Sequence, residues 1–531
     1  MQKRYDYIVI GAGSAGCAVA NRLSENGRYT VALLEAGNRD LNPWIHVPVG
    51  YFKTMGNPAT DWCYKTKACA GLNGRSIPWP RGKVLGGSSS INGLLYVRGQ
   101  AQDFDDWANL GNEGWQWDQV LPYFKRSEDW QGKTSELRGQ GGPLTVSETR
   151  VSRPVIDAWL DTAQNCGYPA NEDYNGADQE GVGLYQLTAK KGRRCSSAVA
   201  YLNPARGRAN LTIITRACVE KLILEGQRVT GVQLANQQLH ANKEVILSAG
   251  AIGSPQLLMV SGIGSSEELN PHKIAIVKEL PGVGQNLQDH LQARPIFKCA
   301  SSTINTEISS WFKQGLIGLE YLLKRTGPMT MAASLGTGFL KTHLSPERPD
   351  IQFHIQPFSA DSPAEGPHKF DAFTASVLQM RPESAGHLSL VSDRFSDHPD
   401  IHPNYLATKL DQQTIVAGIK IARDIAKQAP LNGLVTEEYS PGSSVGDDDD
   451  DSILNWARST ATTIYHPTGT CKMGQDDMAV VDAQLKVNGI EGLRVADASI
   501  MPIITSGNTN APAIMIGEKV AAMILEESVN V

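Results

Sequence analysis

The first apolar run of the chain, Tyr5-Asp6-Tyr7-Ile8-Val9-Ile10, is short and nearly continuous, the pattern of a strand buried on both faces. It passes directly into Gly11-Ala12-Gly13-Ser14-Ala15-Gly16, and helical spacing of apolar residues then continues to about Asn26. A second apolar run, Thr30-Val31-Ala32-Leu33-Leu34, ends on Glu35. The pattern predicts strand, glycine turn, helix and parallel strand. Each glycine has a reason: Gly11 for the tight turn, Gly13 to clear room for a pyrophosphate, Gly16 to let the helix press on the strand. The helix N-terminus offers unpaired N–H groups to an anion, and Glu35 stands where a carboxylate accepts from a ribose 2′-hydroxyl. This is a dinucleotide cradle, and its spacing alone does not separate NAD from FAD.

Farther along, Asn38–Ala70 loses periodicity and suggests an excursion over the surface of the nucleotide unit. Helical register is expected over Asp103–Ser127 and Val151–Asn165, and strands over Asn210–Ile214, Val219–Leu224 and Val229–Leu234, the last two joined by a turn at Gly226. Lys243–Gly250 reads as a further buried strand, followed by a helix from Gln256 to Val260. From about Pro295 to Ser459 the texture changes. An amphipathic stretch at Trp311–Leu323, alternating strands at Asp350–Ile355 and Phe373–Met380, and a helical run at Gln412–Ala426 indicate a separate sheet-based domain inserted into the nucleotide unit. The run Asp447–Asp451 precedes a helix and reads as solvated acid at its N-terminus rather than as a metal site, because adjacent acids splay apart.

At 531 residues the chain has room for several domain-sized units. Its net charge of −6, from 49 basic and 55 acidic residues, leaves no basic surplus for nucleic acid. Eight cysteines are scattered without a C-x-x-C pair, which fits free thiols in a reducing compartment. Polar residues lead at once into the first strand, leaving no room for the apolar core of a signal peptide, and no apolar run approaches the ~20 residues of a membrane span. A cytoplasmic protein is expected, with peripheral association at the inner face of the membrane left open.

Several motifs then occur in one order. Gly82-Lys83-x-Leu85-Gly86-Gly87-Ser88-Ser89-x-Ile91-Asn92 follows the cradle, then Gly250-Ala251-x-x-Ser254-Pro255-x-Leu257-Leu258-x-x-Ser261-Gly262-Ile263-Gly264, then Tyr465-His466-Pro467 and Asn508-Thr509-Asn510. Together with the N-terminal glycines they resemble, over the length of the chain, the glucose-methanol-choline (GMC) family of FAD-dependent oxidoreductases, in look nearest to its choline dehydrogenases and FAD-linked alkanol dehydrogenases.

The resemblance implies an α/β fold: a Rossmann-like FAD domain of 1–150, 196–294 and 460–531, with an inserted antiparallel-sheet substrate domain of 151–195 and 295–459. It implies FAD held at Gly11, Gly13, Ser14, Ala15, Gly16, Glu35 and Ala36, with Gly87, Asn92 and Gly93 near the flavin. Val219 would meet the adenine, Asp497 and Ala498 the ribityl and pyrophosphate, and the helix begun near Pro512, beside Asn510, would turn its positive end to the flavin. Some relatives attach FAD through a histidine at the position of Ile91, so FAD is expected here without a covalent link. His466 is implied as the base that takes the alcohol proton while carbon loses hydride, and Asn510 as the amide on the substrate oxygen.

Choline-acting relatives need a carboxylate for the quaternary ammonium, but Thr330-Met331-Ala332-Ala333-Ser334-Leu335-Gly336-Thr337 carries none. A neutral primary alcohol is therefore expected, with Trp62 and Tyr465 keeping a cationic one open. A quinone-type acceptor follows from similarity alone, and O2 stays open. Rivals of another class are a lyase on the same scaffold and a flavoprotein without enzymatic activity.

Overall fold

The computed structural model describes residues 3–361 and 366–528. Its first layer is a sheet of seven strands. The central strand β1 (Lys3–Ile10) runs through Gly11-Ala12-Gly13 into α1 (Ser14–Ser24) and back to β2 (Val31–Glu35). β3 (Leu211–Thr215) extends the sheet beside β2, while β4 (Val219–Glu225), β5 (Arg228–Leu234) and β6 (Gln237–Leu247) form a meander whose last strand lies against β1. The order is β3-β2-β1-β6-β5-β4, with Leu493–Val495 also on β6; pairings among β3, β2, β1, β6 and Leu493–Val495 are parallel, those of the meander antiparallel. Ile8, Val9, Val31, Ala32 and Leu33 are fully buried, as the continuous apolar runs require. Helix α2 (Gly250–Val260) leaves the end of β6. It starts six residues before the expected Gln256 because the segment around Pro255 continues the helix instead of opening it.

The second layer is an eight-stranded antiparallel sheet in the order 435–440, 296–299, 372–379, 351–356, 336–340, 181–184, with Leu291–Ala293 and Thr462–Thr463 paired at one side. These last two strands lie on the nucleotide side of the boundaries expected at 294 and 460, yet they belong to the second sheet. Strands this short carry no periodicity, and only pairing reveals their partner. Helix Lys409–Ala426 covers this sheet. The segment expected to run over the surface, Asn38–Ala70, instead forms a wall of the central cavity through Tyr51, Phe52, Trp62 and Tyr64, because its irregular backbone turns inward at Ile45 and Tyr51.

The amphipathic stretch becomes helix α3 (Trp311–Lys324), and the chain closes on α4 (Asn510–Glu527), which packs along α1. Gly517 makes that approach possible, since a Cβ there would stand 2.5 Å from the Ala15 carbonyl oxygen. The acidic run caps the helix Asp450–Thr460: Asp449 accepts from Ser452 N–H at 2.9 Å, while Asp447 pairs with Arg423 and Lys427.

Candidate active site

A cavity of about 1430 Å³ lies between the carboxyl ends of the parallel strands and the second sheet. It exceeds the roughly 300–1,000 Å³ usual for a small ligand and suits an elongated one. One end is the glycine cradle. Gly11 has φ +97°, and a Cβ would stand 2.3 Å from the Ser248 carbonyl oxygen; on Gly16 it would stand 2.0 Å from the carbonyl oxygen of Gly11. Gly13 is different: its nearest neighbour would be Ser248 O at 3.9 Å, so the protein tolerates a side chain there and only an occupant of the cavity forbids one. Helices α1 and α4 both begin without a side-chain cap and both turn their first residues, Ser14 and Ala15, Thr509 and Asn510, to the cavity. Two uncapped N-termini on one cavity make a seat for a pyrophosphate.

The buried Glu35 carboxylate also lines this end, accepting from Ala12 N–H at 3.0 Å and Gly37 N–H at 2.8 Å. Burial pushes its pKa up to about 7. Ala36, Val219 and Ala498 line the same end. Asp497 lines it too, although its oxygens already accept from Gly250 N–H, Ser254 Oγ–H and Ser499 N–H at 2.9, 2.6 and 2.8 Å. The second glycine segment bridges cradle and substrate layer. A Cβ on Gly87 would meet Gly13 Cα at 2.7 Å, and one on Gly93 would meet Ala333 Cβ at 2.4 Å. Asn92 is held by the buried Arg194, which donates to its side-chain oxygen at 2.6 Å and to its carbonyl at 2.7 Å. Ile91, also on the cavity, offers no atom for a covalent link. Gly16 and Pro512 are absent from the lining; Gly16 serves helix packing, and Pro512 is buried in the first turn of α4.

His466 stands at the other end of the cavity. Antiparallel pairing of Leu291–Ala293 with Thr462–Thr463 brings His290 against it. Asp289 then fixes the loop, accepting from His466 N–H at 2.7 Å and from the hydroxyls of Thr463 and Tyr405. His290 Nε2 lies 2.8 Å from the Met380 carbonyl oxygen, and its Nδ1 lies 2.9 Å from His466 Nδ1. A carbonyl only accepts, so His290 carries its proton on Nε2 and presents a bare Nδ1. His466 must therefore donate from Nδ1, which leaves its Nε2 lone pair free. That atom accepts from Asn508 Nδ2 at 3.0 Å, and Gln352, donating to Asn508 Oδ1 at 3.2 Å, turns the amide so that its NH2 faces the histidine. Burial, then the neighbouring imidazoles, hold His466 well below the usual histidine pKa; burial takes His290 down to about 4. His466 is thus oriented with its Nε2 acceptor turned toward Asn508.

The expected partner Asn510 is elsewhere. Its Oδ1 accepts from Ser14 Oγ–H at 2.8 Å, tying the start of α4 to the start of α1 at the cradle. Asn508 and Asn510 are two residues apart on either side of a helix start, a spacing that points side chains in different directions. The amide beside His466 is Asn508. Both asparagines stand in the Asn508-Thr509-Asn510 motif, and residue order contains nothing that chooses between them. His290 was missed altogether, since Gln288-Asp289-His290 stands in a polar stretch from Gln285 to Arg294 that gives it no distinguishing signal.

The second sheet supplies unpaired polar atoms to the cavity. His354 Nε2, Gln292 Oε1 and Gln356 Oε1 are buried, lack a hydrogen bond and belong to lining residues. Met331, Ala333, Phe358, Ile304 and Ile308 make the rest of that end apolar. Among the described residues no cluster of side chains suits a metal ion, and no helix is long and apolar enough to cross a membrane.

Comparison with known proteins bears on the family and the fold. The GMC oxidoreductase family models match residues 5–292 and 382–517. The chain is 43% identical to the mitochondrial choline dehydrogenase of Homo sapiens, over 98% of this chain and 89% of that one. It is 42% identical to an alcohol dehydrogenase [acceptor] of Pseudomonas putida, over 98% and 96%. A solved formate oxidase variant from Aspergillus oryzae, studied for FAD modification, superposes with a TM-score of 0.93 at 28% identity over 100% of both chains.

Proposed function

The chain belongs to the GMC oxidoreductase family of FAD-dependent enzymes acting on CH–OH donors, and on that premise we propose that it oxidises a neutral primary alcohol to the aldehyde, with His466 as base, and passes the electrons to a quinone-type acceptor. The observation that carries this reading is the unprotonated Nε2 of His466, held toward Asn508 at the cavity by the relay from the Met380 carbonyl through His290.

FAD fits the chain's own residues: the room left at Gly13, the two uncapped helix ends and the buried Glu35 match the phosphates and ribose of a dinucleotide. When bound, FAD supplies the two-electron acceptor for the carbinol hydride. Gly11, Gly13, Ser14 and Ala15 with Thr509 and Asn510 would hold the pyrophosphate, and Glu35 and Ala36 the adenosine ribose. The substrate hydroxyl enters beside His466 Nε2, which takes its proton, while Asn508 donates to the substrate oxygen and steadies the charge that develops there. His290 accepts from His466 Nδ1–H throughout and stabilises the imidazolium as it forms. The aromatic and aliphatic residues of the second sheet exclude water.

The charge at this end favours a neutral substrate. Arg81 and Arg294 line the cavity, and Arg81 donates to the carbonyl of Tyr465, next to the base, at 2.6 Å. Asp61 is held in place by accepting from the backbone of Gly56, Cys63 and Arg81, and Asp361 stands 3.1 Å from His368. The two arginines oppose a quaternary ammonium, although relatives include choline dehydrogenases. The likeness to the Pseudomonas putida alcohol dehydrogenase [acceptor] supports a separate electron acceptor, and its quinone type is part of the proposal.

Anaerobic titration with 1-butanol, benzyl alcohol and choline is the test. The flavin absorbance should bleach with the first two and persist with choline; no bleaching by any alcohol leaves a lyase or a binding protein. The variant His466→Ala should keep FAD and lose at least about a hundredfold in turnover. Mixing the reduced enzyme with air should give slow reoxidation, whereas prompt peroxide would make it an oxidase.

A further inference from the structure

Helix α3 is amphipathic in the wrong sense for a soluble protein. Its large apolar side chains, Trp311, Phe312, Leu316, Leu319, Leu322 and Leu323, are exposed, Trp311 at 84% and Leu323 at 73%. At 100° per residue they occupy one continuous arc of about 140°. That arc holds no charge; the only other residue on it is Gly315. The inward side carries Tyr321, whose hydroxyl donates to the carbonyl of Gly192. Scattered exposed leucines need no explanation, but a contiguous stripe of this kind does.

The surroundings of the stripe say what covers it. Beyond one edge of the arc come Glu320 and then Lys313 and Lys324, and Arg150 donates to the carbonyl of Arg325 at the helix end. The Tyr321–Gly192 bond places the exposed Lys190, Lys191 and Arg193 of the adjoining hairpin beside that end as well. Glu320, the one acid in the helix, is engaged by the hydroxyl of Thr326. A basic cluster at one end of an apolar stripe, on a chain of net charge −6, complements an anionic lipid headgroup layer over an acyl interior. The opposite face of the helix reaches the cavity: Ile317 lines it together with Ile308, Phe52, Pro328 and Met329, so the stripe lies outside this wall of the cavity.

We propose that α3 docks the enzyme on an anionic phospholipid bilayer, lying in the interface plane with Trp311, Phe312, Leu322 and Leu323 in the acyl boundary. An apolar alcohol dissolved in the bilayer is then concentrated beside this wall of the cavity. That consequence rests on the activity proposed above, whereas the docking does not.

Flotation of the FAD-loaded enzyme with vesicles of phosphatidylglycerol and phosphatidylcholine tests it. The wild type should float with the mixed vesicles, and binding to pure phosphatidylcholine should be several-fold weaker. The combined variant Trp311→Ser, Phe312→Ser, Leu322→Ser, Leu323→Ser should lose at least tenfold in bound fraction while its flavin content and bleaching by a water-soluble alcohol stay as in the wild type. Trp311→Phe should still float but lose the quenching of tryptophan emission by brominated lipid. A wild type that does not float, a combined variant that floats equally, or unchanged quenching in Trp311→Phe overturns the proposal. So does a wild-type dimer that the combined variant dissociates without any vesicle binding, which would make the stripe a contact between two copies of the chain.

Discussion

The chemistry of the site depends on which nitrogen of one imidazole carries the proton. The Met380 carbonyl decides this at a distance of two side chains, because it can only accept and so sets His290, which sets His466. Asn508 then completes the pair at 3.0 Å, and Asn510 does another job at Ser14. The two asparagines should therefore fail differently. Asn508→Ala is expected to keep its flavin and lose turnover by about a hundredfold, the usual cost of one donor at a developing oxyanion. Asn510→Ala should bind FAD about tenfold more weakly yet turn over within about threefold of wild type once saturated. Steady-state kinetics beside flavin titration separates them, and the reverse pattern would return Asn510 to the substrate. His466 was legible from its motif, whereas its tautomer and its partner were not, since both depend on atoms far apart in the chain.

Among the elements, the opening strand, turn and helix were readable because their causes are local. Continuous apolar runs make buried strands, and glycines stand where a turn or a close approach demands them. Yet the three cradle glycines do different work, and substitution should show it. Gly11→Ala forces a side chain into the Ser248 carbonyl at φ +97°, so it should destabilise the fold by roughly 2–4 kcal/mol. Gly13→Ala has open space, so it should purify colourless and unfold at the temperature of FAD-stripped wild type. Denaturation curves and the flavin spectrum of both proteins check the distinction; a yellow Gly13→Ala would move the pyrophosphate elsewhere. Helix α3 teaches the opposite lesson. Its periodicity announced an amphipathic helix correctly, but periodicity does not say which face is turned inward, and here the apolar one is turned out.

Over the whole molecule, two sheets share one cavity, and the residues that line it come from segments spread between Ile10 and Ala513. Filling that cavity should hold both layers together. Removal of FAD is expected to lower the unfolding temperature by several degrees, and free FAD at about a hundred times its Kd should restore roughly 2.7 kcal/mol of stability. Calorimetry of stripped and reconstituted protein checks this; identical transitions would mean that the ligand does not sit between the layers.

Residue order alone determined the dinucleotide fingerprint, the family motifs and the α/β class, because each is written in neighbouring residues, and through the family motif it pointed to His466 as the base proposed above. The short strands that carry His290 to His466, the choice of Asn508 over Asn510, the inward path of Asn38–Ala70 and the outward face of α3 were decided by tertiary structure. They arise from pairing and packing between segments far apart in the chain, and local spacing holds no record of its distant partner.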